Sequence, residues 1–535
     1  MRTADRAADP AGLPATLVAT LRRAALRWPQ RVAWTFDPGG QFTFAEVDRL
    51  SAGFATALAG RGVRAGDRIA VLIANEPAFP LTWLALGRLG AVMVPVNTRY
   101  QSADASHVLR LCGATGIVAG AGFGDLLGRL PADLPALAHL HPVSVLEELA
   151  AAGDAAAAGD GEPAGWPDPD PAATANIQFT SGTTGRPKGC VLPHRYWTEL
   201  AGGLVTDFPY LSDQDVMLTA QPFHYIDPQW NVAAGLLSGA RLVVLDGFHP
   251  SSFWAKVRQH QVTYFYCLGA MPTLLLRMSA DPQDRGHRVR VVQCSAIPPA
   301  LHRELEQRWG VGWYETFGMT ETGADLRVTD VDHDELVGTG CLGGPPGNRK
   351  VRIVDPAGQP LPAGKTGEIA LRGPGMMDGY LDDPQATAEV LRGGWLHTGD
   401  LGWMDAAGRA YHTGRLKDMI RRSGENVAAQ EVEEVLLTHP EVRLVAVTAV
   451  PDEIRGEEVK AWYVAGDITP QDLAAFCRAR LAAFKVPRFW QPATDLPRTD
   501  SERVAKGQLG QLRGPVFDAA TGLWDLPGSA SPAVI

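Results

Sequence analysis

Apolar runs of strand length alternate with helical stretches at several places in the 535-residue chain, and this alternation narrows the architectures open to it. DRIAVLI (67–73) leads through a helix predicted over about 79–89 to AVMVPV (91–96). ANIQF (175–179), ARLVVLDG (240–247), a helix near 253–260, VTYFYCLG (262–269) and RVRVVQCSA (288–296) continue the pattern. Near-continuous apolar strands joined by helical crossovers belong to parallel sheets covered on both faces. The expected fold class is therefore α/β. Ahead of these elements the spacing predicts an amphipathic helix over 17–28, short strands VAWTF and QFTF around the turn DPGG, and a helix from 45 to about 61.

The most apolar region, 81–96, is interrupted by Arg88 and by glycines. It falls short of the roughly 18 to 20 apolar residues of a membrane span and reads as a buried helix entering a buried strand. The N-terminus lacks the uninterrupted apolar core of a signal peptide. A net charge of −10, with no basic run, disfavours nucleic-acid binding. The six cysteines are scattered singly, without metal-ligand spacing, and fit reduced thiols in a cytoplasmic protein. No internal repeat is evident.

The length and the 45% apolar content call for two or more domains. Residues 149–173 shift to Ala, Gly, Asp and Pro and are expected to be a flexible surface connection. After 340, the short strands VRIVD, GEIALRG and RAYHTG suggest a small β-rich subdomain. From 414 to 513 a compact α/β pattern follows: helices over 429–438 and 470–483, strands VRLVAVTAV and VKAWYVA, and a short strand at FWQP. The expected division is an N-terminal domain over 1–413, a C-terminal domain over 414–513, and a disordered tail over 514–535.

FTSGTTGRPKGCVLP (179–193) carries the clearest chemistry. Hydroxyls alternate with glycines and Lys188 follows, so backbone N–H groups, hydroxyls and an ammonium can surround an anion. It is not the Walker pattern, because Gly189 stands where that motif needs Ser or Thr. The string resembles the phosphate-binding signature of the adenylate-forming superfamily, which comprises acyl-CoA synthetases, adenylation domains and luciferases. That resemblance implies a large multi-subdomain N-terminal domain, a small mobile C-terminal domain, and Mg-ATP as co-substrate. It assigns Thr180, Ser181, Gly182, Thr183 and Thr184 to the nucleotide, with Thr184 and Lys188 catalytic.

Four more stretches match in order. WYETFGMTETG (313–323) is similar to the family's YGxTE motif with Phe317 in place of tyrosine. Carry-over makes Phe317 the adenine-stacking face, with Gly318 and Met319 beside it, Thr320 a contact of the α-phosphate and Glu321 the Mg²⁺ ligand. Without the family, Thr320 would read as an N-cap opening a helix. WLHTGDLG (395–402) places Asp400 at the ribose hydroxyls; on its own it is a turn. GRLKDMIRRSGENVAAQEVE (414–433) supplies Arg415 for ribose and phosphate, Lys417 as the hinge, and Ser423, Gly424 and Glu425 beside a pantetheine tunnel. Read without the family, RLKDMIRR is a basic solvated face.

The last motif departs from the pattern. PRTDSERVAK (497–506) has Glu502 for the family's glycine and Arg503 for its catalytic lysine, with Lys506 at a second lysine position. This ending, FHYIDPQWNVAAGL and DLAAFCRARLAAFKVPRFW resemble the carnitine/crotonobetaine-CoA ligase-like branch. Analogy puts catalytic His224 with Tyr225, Ile226, Asp227 and Trp230, and Cys294 with Ser295 and Ala296, around the acid, the last two also at the nucleotide. Cys294 has no activating neighbour in sequence and reads as packing rather than a nucleophile. Asp227 reads equally as an N-cap before Pro228 or as a partner for a cationic substrate group.

The expected function is an AMP-forming acid:CoA ligase acting on a small-molecule acid, with ATP, Mg²⁺ and CoA. A homodimer is open, and no nucleic acid or membrane partner is expected. The alternative keeps the adenylate and changes its captor to a carrier-protein thiol or an amine, or activates nitrite as ATP-dependent diazotases do. A second rival, a catalytically dead ATP-binding module, is disfavoured by Glu321, Asp400 and Lys417.

Overall fold

The computed structural model describes residues 12–157, 166, 168–180, 188–423, 425–452, 454–499 and 504–525. Among these residues the strands form four sheets. An eight-stranded sheet runs Gly323–Arg327, Trp313–Met319, Val291–Ser295, Tyr264–Leu268, Val216–Thr219, Arg241–Leu245, Val32–Asp37 and Gln41–Thr43. Only the outermost pair at each end is antiparallel. A seven-stranded sheet has parallel Leu140–Pro142, Gly116–Ala119, Arg68–Leu72, Val92–Pro95 and Thr174–Thr180, then antiparallel Lys188–Pro193 and Gly379–Tyr380. The α/β alternation thus reports parallel sheets, as expected.

One apolar cluster joins both sheets through the helices Leu17–Arg27, Phe44–Gly60, Ala78–Leu89, His194–Thr206 and Ile226–Ser238. Every residue of Ala78–Leu89 is buried, including Arg88, which pairs with Asp48 and donates to Ser51 Oγ at 3.1 Å. This is the buried helix that the apolar run predicts. A buried polar chain crosses the layer: Trp83 Nε1 donates to Asn176 Oδ1 (2.7 Å), Asn176 Nδ2 to Gln229 Oε1 (2.8 Å), and Gln229 Nε2 to Gln178 Oε1 (3.0 Å). Gln178 Nε2 then donates to the backbone oxygen of His224 at 2.6 Å. Satisfied buried networks of this kind fix one packing arrangement, here setting the His224 loop against the strand Thr174–Thr180.

The β-rich region after 340 is a six-stranded antiparallel sheet built on Trp395–Met404. The C-terminal sheet is centred on the hairpin Val442–Asp452 and Gly456–Ala465, covered by Ala429–Leu437 and Pro470–Arg478. Large N-terminal and small C-terminal α/β parts are therefore present.

Three local expectations need correction. The connection expected over 149–173 is helical up to 157, within Val143–Ala157. Its alanines favour helix, and Leu146 and Ala150 pack into the core, Ala150 against Gly53. Residues 158–165 and 167 lie outside the described residues. The tail expected to be disordered from 514 adds the strands Val516–Asp518 and Leu523–Asp525 to the C-terminal sheet. Phe517 is buried there, and Arg488 donates to both oxygens of Asp518. Asp227 is not an N-cap, since Ile226–Ser238 begins before it with Tyr225 as the cap residue.

Candidate active site

Ligands of open parallel sheets bind beyond the carboxyl ends of the strands. A cavity of about 1700 Å³ opens there and reaches across to the C-terminal part of the chain. Lys188 enters it as the first residue of Lys188–Pro193, paired with Thr180 of the antiparallel neighbouring strand. Ser181, Gly182, Thr183 and Thr184 lie outside the described residues. The Lys188 ammonium sits over the Tyr380 ring, 4.9 Å from its centroid.

The motif at 317–321 closes a hairpin, not a helix. Trp313–Met319 and Gly323–Arg327 pair antiparallel. A Cβ on Gly318 would lie 1.9 Å from the Gly323 oxygen, and Gly323 has φ +85, so the two glycines permit the tight return. Thr320 therefore caps no helix; its backbone oxygen accepts from Tyr196 Oη at 3.1 Å. Glu321 is 7% exposed. Its Oε1 accepts from Tyr380 Oη at 2.8 Å, and its backbone oxygen from the Met377 N–H. Burial pushes its carboxyl above the usual range, against the Tyr380 bond. Phe317 presents its ring 6.3 Å from that of His412.

Asp400 and Arg415 face each other across paired strands, with Arg415 Nε donating to Asp400 Oδ1 at 3.1 Å and His412 Nε2 at 3.2 Å from the same oxygen. A single 3₁₀ turn, Leu416–Asp418, carries Lys417 into the cavity wall. Lys506 is tied to Glu433 at 2.7 Å.

At the acid site expected from the sequence, His224, Tyr225, Ile226, Asp227 and Trp230 line the cavity, with Trp230 Nε1 3.4 Å from Asp227 Oδ1. Ser295 Oγ donates to the Thr316 oxygen at 2.8 Å and lies 2.7 Å from Tyr266 Oη. Cys294 is misplaced by the sequence reading. Successive strand residues point to opposite faces, so Gln293 and Ser295 face the cavity while Cys294 packs in the core behind them. All six cysteines are buried, and none is in a disulfide.

Ser423 and Glu425 flank a hairpin end, Arg422 pairing with Glu425, away from the cavity lining. Gly424 and Arg503 are outside the described residues. The segments around Arg498–Thr499 and 504–508 do line the cavity.

Sequence reasoning missed three contributors. Tyr380 lies 59 residues from Glu321 and has no local signal. His412 is brought to Asp400 only by strand register. Glu315 holds the turn after Ser295: its Oε1 accepts from Ala296 N–H (2.7 Å) and its Oε2 from Ile297 N–H (2.8 Å), with Ala296 at φ 68. Burial pushes Glu315 up to about 8, opposed by those two donors. Glu315→Gln sets an amide N–H₂ against one backbone N–H, at a cost of about 1–3 kcal/mol. The expected result is a lower Tm with KM for ATP raised about tenfold; an unchanged KM for ATP would remove Glu315 from the site.

Among the described residues no group of three or more His, Cys, Asp or Glu is arranged to hold a metal. One buried carboxylate facing an anion-binding cavity fits Mg²⁺ instead, an ion that takes one or two protein carboxylates and completes its shell with phosphate oxygens and water.

The sequence model of the AMP-binding enzyme family matches residues 21–381, and that of the AMP-binding enzyme C-terminal domain matches 431–503. The chain belongs to the AMP-binding enzyme family and is an ATP-dependent, adenylate-forming ligase. It is 35% identical over 495 residues to feruloyl-CoA synthase of an Amycolatopsis species, covering 89% of this chain and 95% of that one. It is 32% identical over 498 residues to crotonobetaine/carnitine–CoA ligase of Salmonella paratyphi B, covering 88% and 93%. Among solved structures it superimposes on ATP-bound MatB from Rhodopseudomonas palustris with TM-score 0.84 and 26% identity, over 93% of this chain and 99% of that one. The Bacillus subtilis o-succinylbenzoate CoA synthetase with its acyl-adenylate gives TM-score 0.81 at 26% identity, over 92% and 98%. No helix among the described residues is long and apolar enough to cross a membrane.

Proposed function

We propose that this protein is an AMP-forming acid:CoA ligase. A carboxylate oxygen attacks the α-phosphorus of ATP, the bond to pyrophosphate breaks, and the CoA thiol then attacks the acyl carbon and releases AMP. The observation that carries this reading is the single cavity uniting Lys188, Thr320–Glu321 and Asp400–Arg415 with an acid pocket at His224–Trp230. Both reactants of the first step are anions, so positioning and positive charge supply most of the acceleration. Lys188 and Arg415 provide charge, Glu321 would hold Mg²⁺, and Asp400 accepts from the ribose hydroxyls. Bound Mg²⁺ would neutralise phosphate charge.

The C-terminal domain, beginning at 414, turns about Lys417 between the two steps. That Arg498, Thr499 and residues 504–508 line the cavity while Ser423 and Glu425 do not supports assigning the present arrangement to the adenylation step. Incubation with ATP, Mg²⁺ and a panel of acids, with and without CoA, tests the function. Acid-dependent pyrophosphate exchange with thioester formation is expected. Pyrophosphate release without thioester would overturn the ligase reading in favour of another captor, a carrier-protein thiol, an amine, or nitrite as the activated group. Arg503→Lys is expected to retain or raise acyl adenylation if Arg503 does the work of the family's lysine. Complete loss of exchange would mean that the guanidinium is specifically required.

A further inference from the structure

We propose that Arg327 and Gln293 form an anion-binding floor in the acid pocket, and that the acid this protein activates carries a second carboxylate. The inference rests on the acid-activating reading above and adds the substrate class. Arg327 ends the strand Gly323–Arg327, opposite Thr316, and lines the cavity although it is only 4% exposed. One nitrogen, Nη1, donates to the backbone oxygens of Gly203 (3.0 Å) and Phe208 (2.6 Å). Nε has no hydrogen-bond partner among the described residues. Among the described residues no carboxylate lies within 4.0 Å of this guanidinium, and Asp207 and Asp325 act on it only through space.

Gly203 lies in the last turn of the helix His194–Thr206, whose C-terminal dipole favours a cation but supplies no full charge. A buried cation without an ion-pair partner is unfavourable unless something anionic meets it. Gln293, 3% exposed, lines the same cavity. Its Oε1 accepts from Tyr264 Oη at 2.8 Å, and its Nε2 makes no hydrogen bond among the described residues. A guanidinium fork with a neighbouring amide donor suits a carboxylate, whereas an alkyl tail would bury both groups unmet. Asp227, in the same cavity, repels a carboxylate. It and Arg327 act on the Tyr264 phenol with opposite sign, so between these two side chains a second carboxylate is drawn to Arg327.

The test compares ATP–pyrophosphate exchange for straight-chain diacids from malonate to adipate and the three benzenedicarboxylates with exchange for their monomethyl esters, which keep size but lose one charge. Simple monocarboxylates such as butyrate and cinnamate complete the panel. In the wild type at least one diacid is expected to exceed its monoester about tenfold or more in kcat/KM. Arg327→Met should collapse that ratio, Arg327→Lys should restore part of it, and Gln293→Leu should lower it about threefold. Diacid and ester alike in the wild type, or a ratio unchanged in Arg327→Met, would overturn the proposal. The wild-type ratio decides the matter should the variants not fold. Exchange only with monocarboxylates would overturn the second-carboxylate proposal and leave acid activation standing. Exchange with no acid at all would overturn acid activation itself, and the proposal with it.

Discussion

Glu321→Gln is expected to slow ATP–pyrophosphate exchange about 10²- to 10³-fold and to raise the Mg²⁺ concentration needed for half-maximal rate. The carboxylate is buried at the hairpin tip and held from two sides, by Tyr380 Oη on its side chain and by Met377 N–H on its backbone. An electrostatic group fixed before the reaction begins is worth about 2.7–4 kcal/mol in the transition state. Glutamine keeps an oxygen for Tyr380 and loses only the charge, so the thermal melt of the variant should stay close to that of the wild type. A rate within threefold of the wild type, with an unaltered Mg²⁺ dependence, would mean that Glu321 does not hold the metal. A collapse of the melt would assign it to folding instead.

Lys417→Pro is expected to separate the two half-reactions. Residues 416–418 form one 3₁₀ turn between Ala410–Arg415, whose Arg415 donates to Asp400, and Met419–Arg422, which opens the C-terminal sheet. Few covalent torsions therefore join the two parts, and a hinge needs only such a short stretch to change. Proline fixes φ near −65° and removes that freedom. Adenylation, measured by pyrophosphate exchange, should persist within about threefold, while thioester formation from preformed acyl-adenylate should fall about 10²-fold or more. Equal losses in both assays would contradict the hinge assignment.

Much of this was legible in the residues. The buried helix over 78–89 was predictable because an apolar run broken only by Gly87 and Arg88 has nowhere to sit but a core. Parallel sheets followed from strands without polar alternation. Where the reading failed, long-range partners decided what the local residues left open. Residues 149–157 look like a connection until Ala150 meets Gly53 on the helix Phe44–Gly60. Residues 516–518 look like a loose end until Phe517 finds the core and Asp518 finds Arg488. Thr320 and Asp227 have cap chemistry, but the hairpin pairing of 313–327 and the earlier start of 226–238 gave them other places.

Read alone, the sequence determined the α/β class, the order of the nucleotide-binding motifs and the adenylate-forming family, because each depends on residues adjacent in the chain or on the period of apolar residues. Only the tertiary structure decided which side chains meet. Strand register brought His412 to Asp400 and turned Cys294 away from the cavity. Packing set Tyr380 between Lys188 and Glu321, clamped the turn at Ala296 on Glu315, and left the Arg327 guanidinium buried with no carboxylate within 4.0 Å among the described residues. Such meetings are fixed by how sheets and helices close on one another, across separations at which neighbouring residues carry no trace of the partner.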